Sequence, residues 1–227
     1  MPYRHATSDR ATAPADPETS PRGSRPIADY GLLANCNTAA LLARDGSIDW
    51  LCLPRFDSPA LFAGLLDPDA GHWSIQPAGT FRVERRYLPG TLVVETTFTT
   101  ETGSARLLDA LAFAAGQRVH DLGHDSPHEL LRLVEGVAGT VDFVLVLQPR
   151  PEYGLVRPLV RATADGARTF GGPNQIVVRA GVPLACEDAT MRATFRVGPG
   201  KTVGFALRWA PPESRSPDAT PPDRVRA

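Results

Sequence analysis

Residues 45–59 read Asp-Gly-Ser-Ile-Asp-Trp-Leu-Cys-Leu-Pro-Arg-Phe-Asp-Ser-Pro. They hold three carboxylates (Asp45, Asp49, Asp57), two aromatic rings (Trp50, Phe56) and one guanidinium (Arg55). Paired carboxyls flanked by rings suit cleavage of a glycosidic bond. One carboxyl protonates the leaving oxygen; the other attacks or activates water, at a separation of roughly 5–5.5 Å or 6.5–9.5 Å. Spacing along the chain does not by itself deliver such a pair. Asp45 precedes Gly46 and suits turn geometry. Asp49 alternates with Ile48 and Trp50, which makes it an exposed strand residue or an arginine's partner. Asp57 lies in a loop whose backbone N–H groups it can accept. An enzyme built on Asp49 and Asp57 alone is the least supported reading.

Two further groups carry chemistry. His120, His124 and His128 are four apart, a spacing that stacks ligands on a helix, with Asp121 and Asp125 between them. Gly123 and Pro127 interrupt any such helix, so a loop is expected and no metal is assigned. Arg150-Pro151-Glu152-Tyr153-Gly154 follows an alternating strand, and loops after strands carry function more often than strand interiors. Tyr153 can stack on a sugar or pack its ring and hydrogen-bond its hydroxyl. There is no Gly-x-Ser-x-Gly, phosphate loop, dinucleotide fingerprint or His-Glu-x-x-His. No catalytic set and no cofactor emerge from the residues themselves.

The elements that must hold these residues read as strands. Leu92, Val94, Thr96 and Phe98 alternate with Val93, Glu95 and Thr97; Met191, Ala193, Phe195 and Val197 alternate with Thr190, Arg192, Thr194 and Arg196. Val141 to Leu147 and Val203 to Trp209 repeat the pattern. Period two marks half-buried strands, and turn signals such as Leu88-Pro89-Gly90 and Gly198-Pro199-Gly200 part them. The expected fold is all-β, a large antiparallel sandwich of more than seven strands. Asp45-Gly46 signals a type I′ hairpin between TAALLAR and SIDWLCLP. One short helix is expected over ALFAGLL, with Ser58 as its cap and Pro59 at its first position.

The 227 residues carry a net charge of −1 and 42% hydrophobic residues. That balance supplies a core and no global field drawing the chain to nucleic acid or membrane. Lys201 is the sole lysine among scattered arginines. Three cysteines (Cys36, Cys52, Cys186) form neither a disulfide framework nor a CxxC pair. No run approaches the ~18 apolar residues of a membrane span, and the N-terminus has no secretory core. A reducing, cytoplasmic setting is expected. Residues 1–25 and 211–227 are rich in Pro, Ser, Thr and charge, the composition of disordered tails; the folded domain is expected over 26–210.

The block Ile27 to Leu66 strongly resembles the start of the family-fifteen glycoside hydrolases, the bacterial glucoamylase-like and trehalase-like proteins. PHELLRLVEGVAG (127–139), QPRPEYG (148–154), GGPNQIVV (171–178) and FALRW (205–209) follow in the family's order. The resemblance implies an N-terminal β-supersandwich, followed in relatives by a linker and an (α/α)₆ barrel. That barrel carries two catalytic glutamates for inverting hydrolysis of α-glucosidic bonds in trehalose or maltooligosaccharides. The barrel and its glutamates match nothing here, so the chain is expected to be a truncated or short accessory domain, inactive alone, and Glu129, Glu135 and Glu152 take no catalytic role. Its expected partner is the helical-barrel hydrolase domain, in cis in relatives or in trans here, with an α-glucoside as possible ligand. Arg55, Phe56, Asp57, Trp50, Arg150 and Tyr153 are the candidates for the barrel interface or the rim of its sugar pocket. For Arg55 and Asp57 the other reading stands beside it, that they merely satisfy each other and the loop. A stand-alone carbohydrate-binding or regulatory module is the rival function.

Overall fold

The computed structural model describes residues 25–123, 125–172, 175–211 and 220–221. Residues 1–24 and most of 212–227, where disordered tails are expected, lie outside these. In chain order the strands are β1 (Tyr30–Ala34), β2 (Ala39–Ala43), β3 (Ser47–Cys52), β4 (Ala60–Phe62), β5 (His72–Pro77), β6 (Arg82–Tyr87), β7 (Val94–Thr99) and β8 (Gly103–Leu111). The second half supplies β9 (Glu129–Gly139), β10 (Val141–Gln148), β11 (Leu159–Thr163), β12 (Gly166–Phe170), β13 (Gln175–Ala180), β14 (Ala185–Glu187), β15 (Thr190–Val197) and β16 (Thr202–Ala210).

They form two eight-stranded antiparallel sheets. The first runs β1-β2-β3-β5-β10-β15-β14, with β4 on β3; the second runs β11-β12-β13-β16-β9-β8-β7-β6. The expected all-β supersandwich is the fold. Alternation places Met191, Ala193, Phe195 and Val197 of β15 inward beside Val141, Phe143, Leu145 and Leu147 of β10. Across the interior, Phe98 meets Phe143 edge to face with centroids 6.0 Å apart, and Phe195 meets Phe205 at 5.5 Å. Such ring pairs add to area burial.

Two expectations of local structure are corrected. No helix covers ALFAGLL: residues 60–62 are β4, paired to β3 through Leu51–Phe62 and Cys52–Ala60. The Leu61 and Ala60 carbonyls also accept the N–H groups of Arg150 and Tyr153. Two-sided pairing of a short, wholly buried segment outweighs helix propensity. Gly64 and Asp67-Pro68 leave too few residues to nucleate a helix. Among the described residues the helical elements are two three-residue 3₁₀ turns, Ile27–Asp29 and Val119–Asp121. The β2–β3 hairpin forms, but not through type I′. Positive φ falls on Gly46 alone, at 82°, and its N–H reaches the Ala43 carbonyl at 3.1 Å. This is the three-residue connection with one left-handed glycine; farther along, the ladder passes from Leu42–Ile48 to Leu41–Trp50, which leaves Asp49 as the extra residue on β3.

The sheets are pinned by a buried cation. Arg132 takes an inward position on β9 between Leu130 and Val134, and Asp109 does the same on β8 between Leu107 and Leu111; both are fully buried. Arg132 Nε donates to Asp109 Oδ1 at 2.7 Å. Its Nη1 donates to the Trp73 carbonyl at 2.7 Å and its Nη2 to the Gly46 carbonyl at 2.6 Å. The guanidinium carbon stands 5.0 Å from the Trp73 ring centroid. One side chain of the second sheet therefore holds β5 and the β2–β3 turn of the first.

Candidate functional site

The β2–β3 hairpin distributes its aspartates to separate duties. Asp45 Oδ1 accepts the Ser47 N–H at 3.2 Å, and Asp45 Oδ2 pairs with Arg25 Nη2 at 2.6 Å. Asp49, only 3% exposed, accepts the Tyr30 hydroxyl at 3.0 Å and the Ser47 hydroxyl, with Arg25 Nε 3.7 Å away. Burial, then the Asp49 charge, pushes the Tyr30 hydroxyl well above its ordinary pKa. Asp57 belongs to a different cation: Arg55 Nε lies 2.9 Å from its Oδ1, with both side chains about 70% exposed (71% and 72%). That ion pair holds the Asp57 carboxyl below the usual carboxylate range. Asp49 and Asp57 thus answer to different arginines.

Chain pairing brings two of the six candidate residues together. Leu51 of β3 points into the core, which turns Trp50 to the outer face of the first sheet. There Trp50 packs on Cys52, Ala60, Ala63 and Ala70. The loop after β10 lays Tyr153 beside it, ring centroids 6.3 Å apart and planes at 46°. Glu152, Tyr153 and Gly154 all have positive φ (56°, 57° and 96°), a conformation that surrounding contacts must enforce. The enforcing contacts are Tyr153 N–H to the Ala60 carbonyl and Gly154 N–H to the Arg150 carbonyl. A Cβ on Gly154 would stand 2.9 Å from that of Ala70.

The other candidates occupy different surroundings. Arg150 is buried, donating from Nη1 to the Pro149 and Ala189 carbonyls at 2.8 and 2.9 Å. Burial pushes its guanidinium below the ordinary arginine value. It braces the loop from below. Phe56 is exposed in the loop after β3, anchored by its N–H to the Asn37 carbonyl at 2.9 Å. Arg55 and Asp57 flank it as the mutual pair.

Beyond that loop lies a polar seam absent from the list of candidates. Fully buried Asn35 donates to the Ala112 carbonyl at 3.0 Å and the Ser126 hydroxyl at 2.8 Å, and accepts the N–H groups of Asn37 and Thr38. Thr38 donates to the Cys52 carbonyl. The His128 ring meets Trp209 edge-on at 5.6 Å. Burial, then Arg208, pushes the His128 pKa down. The signal for Asn35 lay in Asn-Cys-Asn-Thr, whose short side chains favour local backbone bonding. Of the spaced histidines, His120 is exposed on a 3₁₀ turn and His124 lies outside the described residues. Among the described residues no three His, Cys, Asp or Glu side chains gather as metal ligands.

The family of trehalase-like N-terminal domains matches residues 20–210. A trehalase of Mycolicibacterium smegmatis is 36% identical over 203 residues, covering 82% of this chain and 30% of that protein. A trehalase of Mycobacterium tuberculosis is 34% identical over 210 residues, covering 83% and 31%. Trehalase 1 of Sulfolobus acidocaldarius is 34% identical over 145 residues, 63% of this chain and 22% of its own length. The chain spans 30–31% of the length of the two mycobacterial relatives and 22% of the Sulfolobus one.

Proposed function

The chain belongs to the family of trehalase-like N-terminal domains, and on that premise we propose that it is the accessory β-sandwich of a glycoside hydrolase acting on α-glucosidic bonds, non-catalytic by itself. The match over residues 20–210, set against relatives named trehalases of which the chain spans 30–31%, carries this reading. Its working partner is a helical-barrel catalytic domain, in cis or in trans. The domain proper is residues 26–210. The three free cysteines suit a reducing, cytoplasmic setting.

The side chains offered to that partner are Phe56 with the Arg55–Asp57 pair, and the Trp50–Tyr153 rings, with Arg150 buried at the start of the Tyr153 loop. Aromatic and arginine side chains dominate the energetics of protein interfaces, and Phe56 stands exposed between the Arg55 and Asp57 side chains. Mechanistically, the sandwich contributes position: a rigid pair of sheets presents the 53–58 and 150–154 loops, while proton transfer to the glycosidic oxygen belongs to the partner.

A glucose-release assay tests the reading. The purified chain is expected to release no glucose from trehalose or maltose, and measurable turnover would refute the non-catalytic role. Fused to the remaining part of the Mycolicibacterium smegmatis relative, it is expected to restore a folded, active enzyme that Phe56→Ala weakens.

The Trp50–Tyr153 pair supports one second reading, a carbohydrate-binding module. Calorimetric titration with a maltooligosaccharide separates the two. Saturable binding by the chain alone, abolished by Tyr153→Ala with folding intact, would favour the module.

A further inference from the structure

Strand β9 shows its second face at Glu129. Leu130, Arg132 and Val134 point into the core, so Glu129 and Leu131 face outward, where Leu131 packs on Val177 and Ala206. An outward carboxylate on a sheet is normally wet. Glu129 is 2% exposed. Both its oxygens are engaged by one residue 91 positions downstream: the Thr220 N–H donates to Oε1 at 2.6 Å and the Thr220 hydroxyl to Oε2 at 2.7 Å. A buried charge needs hydrogen bonds to offset lost hydration, and bonds to an ionised acceptor are the short, strong kind. Pro221 biases Thr220 toward an extended backbone, which leaves its N–H free of helical partners and directed with the hydroxyl at a single carboxylate. Arg208 stands opposite Glu129 in the β16–β9 ladder. The Glu129 carbonyl accepts the Ala112 N–H, the Ala112 carbonyl accepts the Asn35 amide, and the neighbouring Asn37 carbonyl accepts the Phe56 N–H, which puts the seat at the end that carries the exposed loop.

We propose that the Glu129 carboxylate is a binding seat for the polypeptide following the sandwich, which it clasps at a Thr-Pro step. Residues beyond 221 thereby set out from the end of the molecule that carries the 53–58 loop. The clasp deepens the accessory-domain reading, on which its use rests: the seat fixes where a catalytic neighbour joined in cis begins, and it begins beside the loop offered to it. The complementary chemistry is narrow. The seat takes a main-chain N–H and a short-side-chain hydroxyl on one residue, so Ser or Thr ahead of Pro fits and an apolar residue does not.

Amide hydrogen exchange at Thr220 in the full chain tests it. The wild-type amide is expected to exchange at least about tenfold more slowly than an unprotected one, the scale of a hydrogen bond to a charged acceptor. Thr220→Val, which keeps the N–H and removes the hydroxyl, is expected to cut that slowing severalfold while leaving the thermal midpoint of the sandwich in place. Glu129→Ala is expected to abolish it; should that variant fail to fold, Thr220→Val still carries the test. Unprotected exchange in the wild type, or full protection retained in Thr220→Val, would overturn the seat. The readout needs no partner, so failure of the fused hydrolase leaves it standing, and loss of protection leaves the accessory role untouched.

Discussion

Replacing Arg132 by Leu removes the cation that joins the sheets and leaves Asp109 buried with no counter-charge. Arg132 makes three bonds of 2.6–2.7 Å, to Asp109 and to the Trp73 and Gly46 carbonyls, with neither charged side chain exposed. Removing one partner of a buried ion pair costs about 3–5 kcal/mol. A domain of this kind has about 5–15 kcal/mol in total, so the variant stands near the edge of folding at ambient temperature. The thermal midpoint is expected to fall by about 6–20 °C. The decisive comparison is Arg132→Leu/Asp109→Leu. Burial pushes the Asp109 carboxyl upward even beside its arginine, which marks the charge as costly. Exchanging both partners for apolar groups removes that cost, so the double variant is expected to recover most of the loss. Urea unfolding followed by tryptophan fluorescence measures both, since Trp73 lies under the guanidinium. A single variant within about 1 kcal/mol of wild type, or a double variant no better than the single, would refute the argument that the unpaired charge, rather than the packing, sets the cost.

Three further outcomes follow from the same geometry. Gly46→Ala is expected to lose at least about 1–2 kcal/mol in urea unfolding, because the left-handed φ of 82° is compounded by a Cβ placed 2.6 Å from the Ile75 carbonyl oxygen; Gly90→Ala, with φ 73° and open space around it, is expected to lose less. His128 has a folded-state pKa below its unfolded value near 6.5, so the unfolded chain takes up the proton first; stability is intact above about pH 6.5 and is lost as pH falls below it, by at most ~1.4 kcal/mol per pH unit, and His128→Phe is expected to flatten the urea midpoint between pH 7 and 5.5. Asp57→Asn is expected to leave the urea midpoint of the chain alone unchanged, since its ion pair is largely in water, while weakening assembly with a catalytic partner; a clear drop of that midpoint in the isolated chain would make the pair structural.

What the sequence disclosed depended on whether a residue's duty was local or long-range. Period-two alternation placed Met191 to Val197 and Val141 to Leu147 on the core face, because in a sandwich one face of each strand is buried whatever it pairs with. The helix expected at 60–66 failed for the opposite reason. The fate of Ala60–Phe62 is decided by β3 and by the Arg150 and Tyr153 N–H groups, one contact near in sequence and the others some ninety residues away. Asp109 and Arg132 did leave a trace, each a charge at an inward position of an apolar alternation, but alternation does not say which opposite charge will answer. Of the candidate site, the Trp50–Tyr153 pairing was unreadable because it joins β3 to the loop after β10 across β4, a strand the sequence presented as a helix. Glu129 was visible only as a motif letter; its partner lies in a Pro-rich stretch whose composition suggests no fixed structure.

The arrangement of Trp50 bears on which partner its neighbourhood suits. Sugar stacking needs an open ring face, as in modules that display aromatic platforms. Trp50 is half-buried, packed against Cys52, Ala60, Ala63 and Ala70, and Tyr153 meets it at 46° rather than lying parallel. Two tilted rings present an irregular ridge, not a flat platform. Tyr153 is 51% exposed and Phe56 58%, which leaves apolar area open on both loops flanking β4. Apolar ridges of that kind gain most from a partner surface that closes over them and excludes water. Glu129 adds a constraint independent of the rings, because it holds Thr220 at the end of the sandwich that bears Phe56. A neighbour joined there would lie close to the 53–58 loop, whereas a free oligosaccharide gains nothing from the tether. The geometry therefore favours a protein surface over a sugar as the occupant of the two loops.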